Sequence, residues 1–255
     1  MLDVDRVEVR GAVRTGTAEV RGAASIHPGE PMVAVRTGRA TRALEALPWV
    51  AEVTVVRSWP ATVVIDVEER VAAAFVDAGA GRGVLVDAGG HQLVGAGAAD
   101  ALAEGLPTLR GAPFDPAPGR PLGSWAAGAL ELAGRLDAGF ADATVEVVVV
   151  DDRLEARLQG ASVGDLLVRF GTSDRLEAKI AALASVVERA EPRPAVVDVQ
   201  APDAPALTPP GPDRMLSTAT RGLHNYKSKV EVEGLRDTTG VSTTSEQRPS
   251  GPSDR

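Results

Sequence analysis

Asp151 and Asp152 form an adjacent pair of carboxylates, a residue type and spacing that could serve acid–base catalysis. Such catalysis needs different surroundings for the two groups, so that one carboxyl stays protonated while the other is ionised. This pair instead stands between two valine-rich segments, where adjacent acids usually form a turn. The sequence therefore predicts a hairpin turn here and leaves a small hydrolase or transferase using the pair as a remote alternative.

The other residue types that bind metals or act as nucleophiles give no site. His27, His91 and His224 each fall in a predicted loop, turn or tail, and none has a second histidine at metal-ligand spacing. The serines, among them Ser162, are interpreted as caps and turns. Because the chain has no cysteine, thiolate metal sites and cysteine nucleophiles are excluded. We expect a non-enzymatic protein with no catalytic residue, no metal and no cofactor.

The glycine-rich segment Gly79–Gly83 has the composition of a phosphate-binding loop. Such a loop runs from a strand into a helix, whose N-terminus binds the anion. Here the segment leads into the strand-like sequence VLVD, so it is predicted to be a hairpin turn.

Composition favours a protein with a buried core and a partner other than nucleic acid. The 255 residues are 44% hydrophobic and 24% charged, which is enough apolar surface for about two domains. Acidic residues number 35 against 27 basic ones, and a net charge of -8 would repel a phosphate backbone. Aromatic residues make up only 3%, so valine, leucine and alanine must form the core, and the abundance of valine favours strands.

The first 70 residues show the pattern strand, helix, helix, strand, strand. Arg6–Gly11 alternates like a strand, and a helix capped by Thr17 should follow it. A second helix is predicted over Thr37–Ala46, because Leu47-Pro48 cannot continue it. Alternating apolar residues then predict one strand on each side of Pro60. Their inward faces are expected to hold Ala51, Val53 and Val55, then Val63, Ile65 and Val67.

Three short motifs in this region occur together in one known family. Leu47-Pro48-Trp49-Val50 matches a Leu-Pro-x-Val pattern, Arg57–Thr62 matches Arg-x-x-Pro-x-Thr, and Glu69-Arg70 matches a strand-ending Glu-Arg. The segment resembles the POTRA domain of the FtsQ/DivIB family of bacterial cell-division proteins. Family members commonly have a proline where Ala72 stands here.

The resemblance continues to about residue 208 through a β-rich region. VLVDAGGHQLV, with Asp87, Gly89 and Gly90 as turn residues, resembles the hairpin that opens the family's second domain, and Leu106–Gly111 resembles its usual exit. A helix from Ser124 or Trp125 to about Ala138 is predicted next. The remaining predicted strands are Thr144–Val150, Arg153–Leu158, Asp165–Phe170 and Ala195–Val199.

A second helix of this region is predicted between the last two of these strands. Asp174 and Glu177 have the spacing of a capping box at its start. An apolar stripe of Leu176, Ile180, Leu183 and Val187 should pack the helix on the sheet.

Together these patterns predict an α+β fold. A POTRA-like β-α-α-β-β domain is expected at 1–72, and a β-rich domain with a mixed sheet and packed helices at 73–208. Residues 209–255, rich in proline, serine, threonine and glycine without periodicity, are predicted to be disordered.

The resemblance implies a scaffold for septum formation that binds FtsB-like (DivIC-like) and FtsL-like division proteins, with further division proteins contacting the POTRA domain. An open sheet edge can accept a partner's strand. The family's last strand often reads Asp-x-Arg, whereas this chain has Asp198-Val199-Gln200. An accessory POTRA domain of an outer-membrane assembly or secretion system is the alternative. The expected edge comprises Ala195, Val196, Val197, Asp198, Val199, Gln200, Ala206, Leu207 and Thr208.

Membrane association is expected only through a segment that this sequence does not include. A membrane-spanning helix needs roughly 18 or more apolar residues, and no such run occurs, so the chain as written is predicted to be soluble. Family members carry a cytoplasmic tail and one spanning helix immediately before the strand that begins here near Val4. The resemblance therefore implies a location on the extracytoplasmic face of the plasma membrane at the division septum.

Overall fold

Two sheets built from twelve strands organise the part of the chain that the structure describes. The computed structural model describes residues 2–79, 82–95, 102–112, 114–191 and 193–209. The predicted tail lies outside these residues except for Pro209. Helices and sheets of this kind confirm the predicted α+β class.

The first sheet consists of β1 (Arg6–Arg10), β2 (Val50–Ser58) and β3 (Thr62–Glu69) in the order β1-β3-β2, with two helices packed against it. Strand β1 runs parallel to β3, and β2 pairs antiparallel with β3. Its chain order is the predicted strand, helix, helix, strand, strand. The helices are α1 (Thr17–Ala24) and α2 (Thr37–Glu45).

Valines and leucines on the helix side of this sheet form its core. Val63 and Ile65 of β3 are fully buried together with Leu44 of α2. Most of the predicted inward residues are confirmed, but Ala51 is exposed. The register of β2 shifts between Val50 and Glu52, and this irregularity turns Val50 inward in its place.

The start of α1 also differs from the prediction. Thr17 is the first residue of the helix, and Gly16 occupies the N-cap position with φ 81 and no side-chain hydrogen bond. A positive φ is available to glycine at little cost, so the backbone conformation of Gly16 directs the chain into the helix.

The second sheet has nine strands, which are β4 (Ala72–Gly79), β5 (Arg82–Asp87), β6 (Gln92–Gly95), β7 (Thr108–Arg110), β8 (Ala143–Val150), β9 (Arg153–Gly160), β10 (Gly164–Gly171), β11 (Val196–Asp198) and β12 (Ala206–Thr208). The predicted three-strand meander is present as β8, β9 and β10. Strand β7 was not predicted, and its parallel pairing with β4 and with β8 joins the two halves of the sheet. The order of the strands across the sheet is β12-β11-β10-β9-β8-β7-β4-β5-β6.

Two helices, α3 (Ala126–Gly139) and α4 (Leu176–Arg189), contribute their apolar stripes to the core of this sheet. Leu136 of α3 and Leu183 of α4 are fully buried with Val168 of β10. On the exposed side, Arg110 pairs with Asp77 at 3.0 Å and with Glu146 at 2.8 Å. The helices thus cover one face of the sheet, and ion pairs cross the strands of the other.

The strands β4 and β5 pair antiparallel, with Gly79 opposite Arg82. The predicted hairpin, and not a strand-to-helix phosphate loop, therefore connects them, although Ala80 and Gly81 lie outside the described residues. Across the described part of the chain, no helix is both long and apolar enough to traverse a bilayer.

Candidate partner-binding edge

The end of the second sheet is formed by three strands that include all the predicted partner-binding residues. Strand β11 runs parallel to β10, with Val197 opposite Val168. Helix α4 makes the crossover between these two strands, as parallel pairing requires. Strand β12 then pairs antiparallel with β11, with Leu207 opposite Val197. Among the described strands β12 has no other neighbour, so it is the margin of the sheet.

The predicted edge is therefore divided between an inner strand and an outer one. Ala195–Gln200 was expected to lie at the margin, but β11 is enclosed between β10 and β12. The reason is that the chain turns back after Gln200 and adds Ala206–Thr208 along β11. Val197 and Val199 are consequently buried, whereas Ala206, Leu207 and Thr208 are all exposed.

Leu207 borders a groove between the sheet margin and α4. Leu207 is 49% exposed, and its side chain lies on the side of the sheet that the helices cover, because its partner Val197 is buried there. The groove has a volume of about 420 Å³. Its lining is Ala182, Ser185, Val186, Arg189, Ala190, Pro202, Pro205 and Leu207.

Gln200 stands where the family pattern often has arginine, and its amide links two charged side chains. Gln200 Nε2 donates to Asp198 Oδ2 at 3.0 Å, and Gln200 Oε1 accepts from Arg153 Nη1 at 3.0 Å. The guanidinium group of Arg153, from β9, thus lies beside Gln200 and is hydrogen-bonded to its side-chain amide. Gly171, with φ +67, lies under the Gln200 side chain, and a Cβ there would come within 2.8 Å of Gln200 Cγ.

Lys179 is a buried lysine at the start of α4 that sequence reasoning missed. Its ammonium group donates to Thr172 O at 2.9 Å and to Asp174 Oδ1 at 3.1 Å. Hydrogen bonds from the Thr172 hydroxyl and then from Lys179 lower the pKa of Asp174. The residue follows Leu176 by three positions and precedes Leu183 by four, so a lysine on the apolar stripe was the available signal.

The capping box predicted for α4 is wrong. Arg175 occupies the N-cap position with φ 51, and no side chain caps the helix. The carboxylate of Asp174 is bound instead by Lys179 and Thr172, as described above.

The paired acids Asp151 and Asp152 form the two-residue turn between β8 and β9, as predicted. Both have positive φ, 49 and 59, and Val150 pairs with Arg153 on either side of them. This is the conformation that a type I′ hairpin turn requires. Both acids are exposed at the tip of the hairpin.

One serine motif was not recognised from the sequence. Gly160-Ala161-Ser162-Val163-Gly164 matches the Gly-x-Ser-x-Gly pattern of a nucleophile elbow, which must connect a strand to a helix. The structure places Ser162 between β9 and β10, where its hydroxyl donates to Asp142 Oδ1 at 2.6 Å. That bond and the backbone N–H of Ser162 lower the pKa of Asp142. Ser162 therefore stabilises a turn.

Metal-binding side chains are not clustered in the described ranges. Within them, no group of three or more histidine, aspartate or glutamate side chains is arranged to hold a metal ion. His27 is exposed in a loop and His91 follows the β5–β6 turn, while His224 lies outside the described residues.

Comparison with known proteins agrees with this architecture. Residues 2–70 match the family model described as POTRA domain, FtsQ-type. The chain is therefore an α+β protein in which a POTRA domain precedes a large mixed sheet. The cell division protein FtsQ of Streptomyces griseus is 34% identical over 211 residues, covering 81% of this chain and 97% of that protein. FtsQ of Streptomyces bingchenggensis is 34% identical over 215 residues, covering 81% and 76%.

A shorter match of 95 residues, also at 34% identity, links the chain to FtsQ of Corynebacterium glutamicum. The chain belongs to the FtsQ family of cell division proteins. The alternative of an accessory domain in an outer-membrane system is set aside, because these relatives are division proteins.

Proposed function

We propose that the protein is a non-enzymatic scaffold for septum formation that binds FtsB-type and FtsL-type partners by strand addition to β12. The exposed margin at Leu207, in a chain of the FtsQ family, is the observation that supports this function. The scaffold acts on the extracytoplasmic face of the plasma membrane at the division septum, and further division proteins contact its POTRA domain.

The hydrogen-bond pattern gives the direction of the free backbone groups at the margin. Leu167 N donates to Ala195 O at 3.0 Å, and Val199 N donates to Arg169 O at 3.0 Å. In a parallel ladder this pattern directs the N–H and C=O of Val197 toward β10. The groups of Leu207, which is opposite Val197, then point away from β11. Leu207 therefore offers one donor and one acceptor to an incoming strand.

Backbone pairing with so short a strand needs a side-chain anchor. Each hydrogen bond contributes only about 0.5–1.5 kcal/mol net, and β12 has three residues. The groove beside Leu207 can supply the anchor, since it is lined mainly by alanine, valine, proline and leucine. We expect the partner strand to place an apolar side chain in this groove and a carboxylate near Arg189.

The test compares two substitutions of Leu207. Leu207→Pro removes the outward N–H and the side chain, whereas Leu207→Ala removes only the side chain. Binding of purified extracytoplasmic segments of FtsB-type and FtsL-type partners would be measured by isothermal titration calorimetry. We expect Leu207→Ala to weaken binding about tenfold, because a half-exposed leucine contributes on the order of 1.5 kcal/mol, and Leu207→Pro to abolish it.

A matched control is Val150→Ala, which shortens an exposed aliphatic residue of the β8–β9 hairpin away from the margin. It should leave the affinity unchanged. Val197→Pro is a poorer test, because it would break the inner ladder between β10 and β11. Unchanged affinity of Leu207→Pro for both partner segments, with circular dichroism like that of the parent, would contradict the proposal.

A further inference from the structure

Only two residues separate the first sheet from the second. Strand β3 ends at Glu69 and β4 begins at Ala72. Between them, the side chain of Val71 is exposed, with 81% of the residue accessible to solvent. Val71 therefore contributes no packing to the junction, and the relative orientation of the sheets must depend on contacts made by other residues.

Arg70 makes hydrogen bonds to both sides of this junction. On the side of the first sheet, its backbone N–H donates to Trp49 O at 2.8 Å and its Nε donates to Val50 O at 3.1 Å. On the side of the second sheet, its Nη1 donates to Asp87 Oδ2 at 2.8 Å. The side chains of Arg70 and Asp87 are only 25% and 13% exposed, so water screens this pair poorly.

Asp87 is itself held rigidly in the second sheet. Its other oxygen, Oδ1, accepts from Gly89 N at 2.9 Å and from His91 N at 2.8 Å, within the turn between β5 and β6. Burial and the nearby Arg70 lower the pKa of His91, which keeps a second positive charge away from the guanidinium. Arg70 is therefore anchored to a carboxylate that would lose two hydrogen bonds of the β5–β6 turn if it rotated away.

Trp49 provides the apolar half of the same junction. It packs with Leu85 and Leu93, which are buried residues of the second sheet. The guanidinium carbon of Arg14 lies 5.1 Å from the centroid of the Trp49 ring, a cation–π distance. Arg14 lies in the loop between β1 and α1. The carboxylate of Glu69 holds this loop by accepting hydrogen bonds from the backbone N–H of Arg14 at 2.8 Å and of Thr15 at 2.7 Å.

We infer that Arg70 and Trp49 are positioning residues that clamp the two sheets in one orientation. Arginine suits this role because its planar group donates in several directions, and one Nε and one Nη reach acceptors on different sheets. A lysine could satisfy only one of these directions well. On the proposed function, the clamp keeps the margin at β12 in a constant place relative to the POTRA domain.

The absence of cysteine from the chain makes the orientation directly measurable. Spin labels attached to Arg39→Cys on α2 and Glu177→Cys on α4, both exposed positions, would report the distance between the two parts by pulsed electron paramagnetic resonance. We expect one narrow distance distribution in the parent. Arg70→Gln and Trp49→Ala should add a second, separate population, and Arg70→Lys should add a smaller one.

Arg157→Gln is the matched control, because Arg157 pairs with Asp165 at 2.7 Å within the second sheet. It removes an ion pair with a similar N···O distance but should leave the distribution narrow. Asp87→Asn replaces Arg70→Gln in the test if the latter does not fold, since it keeps the shape of the Asp87 side chain and removes its negative charge. Far-ultraviolet circular dichroism checks that each variant retains its secondary structure.

A distribution as narrow as that of the parent in folded Trp49→Ala, together with folded Arg70→Gln or Asp87→Asn, would overturn the clamp. Partner binding at β12 is a separate measurement on the parent protein. If the parent binds no partner segment and the variants still broaden the distribution, the proposed function fails and the clamp stands. If binding is normal and the distribution stays narrow, only the clamp fails.

Discussion

The ammonium group of Lys179 lies 3.1 Å from Asp174 Oδ1, and the lysine is 1% exposed while the side chain of its partner is 63% exposed. The pair thus joins a buried stem to a solvated carboxylate at the start of α4. Because Asp174 stays hydrated, removing the lysine strands no buried negative charge. The alkyl part of Lys179, which is buried, should matter more for stability than its charge.

Two substitutions separate the stem from the charge. Lys179→Ala should destabilise the protein by about 2–4 kcal/mol, as truncation of a long buried side chain does. Lys179→Met retains most of the stem and should cost about 1 kcal/mol or less, since only Thr172 O then lacks its donor. Urea unfolding measures both. Equal losses for the two variants would show that the ion pair, and not packing, dominates.

The lowered pKa of Glu69 predicts how the stability of the protein depends on pH. Burial alone would raise the pKa of this carboxyl, but the backbone N–H groups of Thr15 and Arg14 outweigh it and lower the pKa below the usual 4.5. The folded state therefore binds fewer protons than the unfolded state between the two pKa values, so stability is complete above the unfolded value and falls as acid protonates the folded carboxylate.

Glu69→Gln should reduce this acid sensitivity. The amide oxygen can still accept a hydrogen bond, but the group no longer titrates, so stability should be lower at pH 7 and change less on going below pH about 4.5. Thermal unfolding from pH 7 to pH 3, at constant ionic strength, measures the difference. Parallel curves for parent and variant throughout this range would contradict the assignment.

Local sequence patterns predicted most of the elements because each pattern is contained in a few neighbouring residues. Val63, Ile65 and Val67 alternate, and the structure buries all three. Strand β7 escaped because Thr108–Arg110 is too short to show a period, and its place is set by parallel neighbours far away in sequence. The irregularity in β2 that turns Ala51 outward was missed for a similar reason, because it arises from the pairing of β2 with β3.

The candidate margin could be predicted only in part. The family resemblance indicated a segment that includes the sheet margin, but which of its strands is outermost depends on the return of the chain after Gln200. No periodicity in Ala201–Pro205 signals that return. The groove beside Leu207 likewise requires α4 and the Pro202–Pro205 segment to meet, which is a tertiary property. The boundaries at residues 72 and 208 remain predictions.

Gly171 and Gly164 provide a matched pair of glycines in β10. Both have positive φ, +67 and +75, but a Cβ at Gly164 would meet nothing within 4 Å, whereas one at Gly171 would strike Gln200. Gly164→Ala should cost about 1 kcal/mol from backbone strain alone, and Gly171→Ala should cost more. Adding Gln200→Ala to Gly171→Ala should remove this excess loss of stability, as measured by denaturant unfolding. An excess that persists in the double variant would show that Gln200 is not its cause.

The tip of the β8–β9 hairpin distinguishes a scaffold from an enzyme that uses Asp151 and Asp152. A type I′ turn favours asparagine followed by glycine, since both central residues have positive φ. Asp151→Asn with Asp152→Gly should therefore leave the hairpin folded while removing both carboxylates. We expect partner binding and complementation of a division-defective strain to be unchanged, because the turn is separate from the β12 margin in the sheet order. Loss of complementation by this folded, partner-binding variant would favour catalysis at the acid pair, and Val150→Ala in the same assay controls for disturbance of the hairpin.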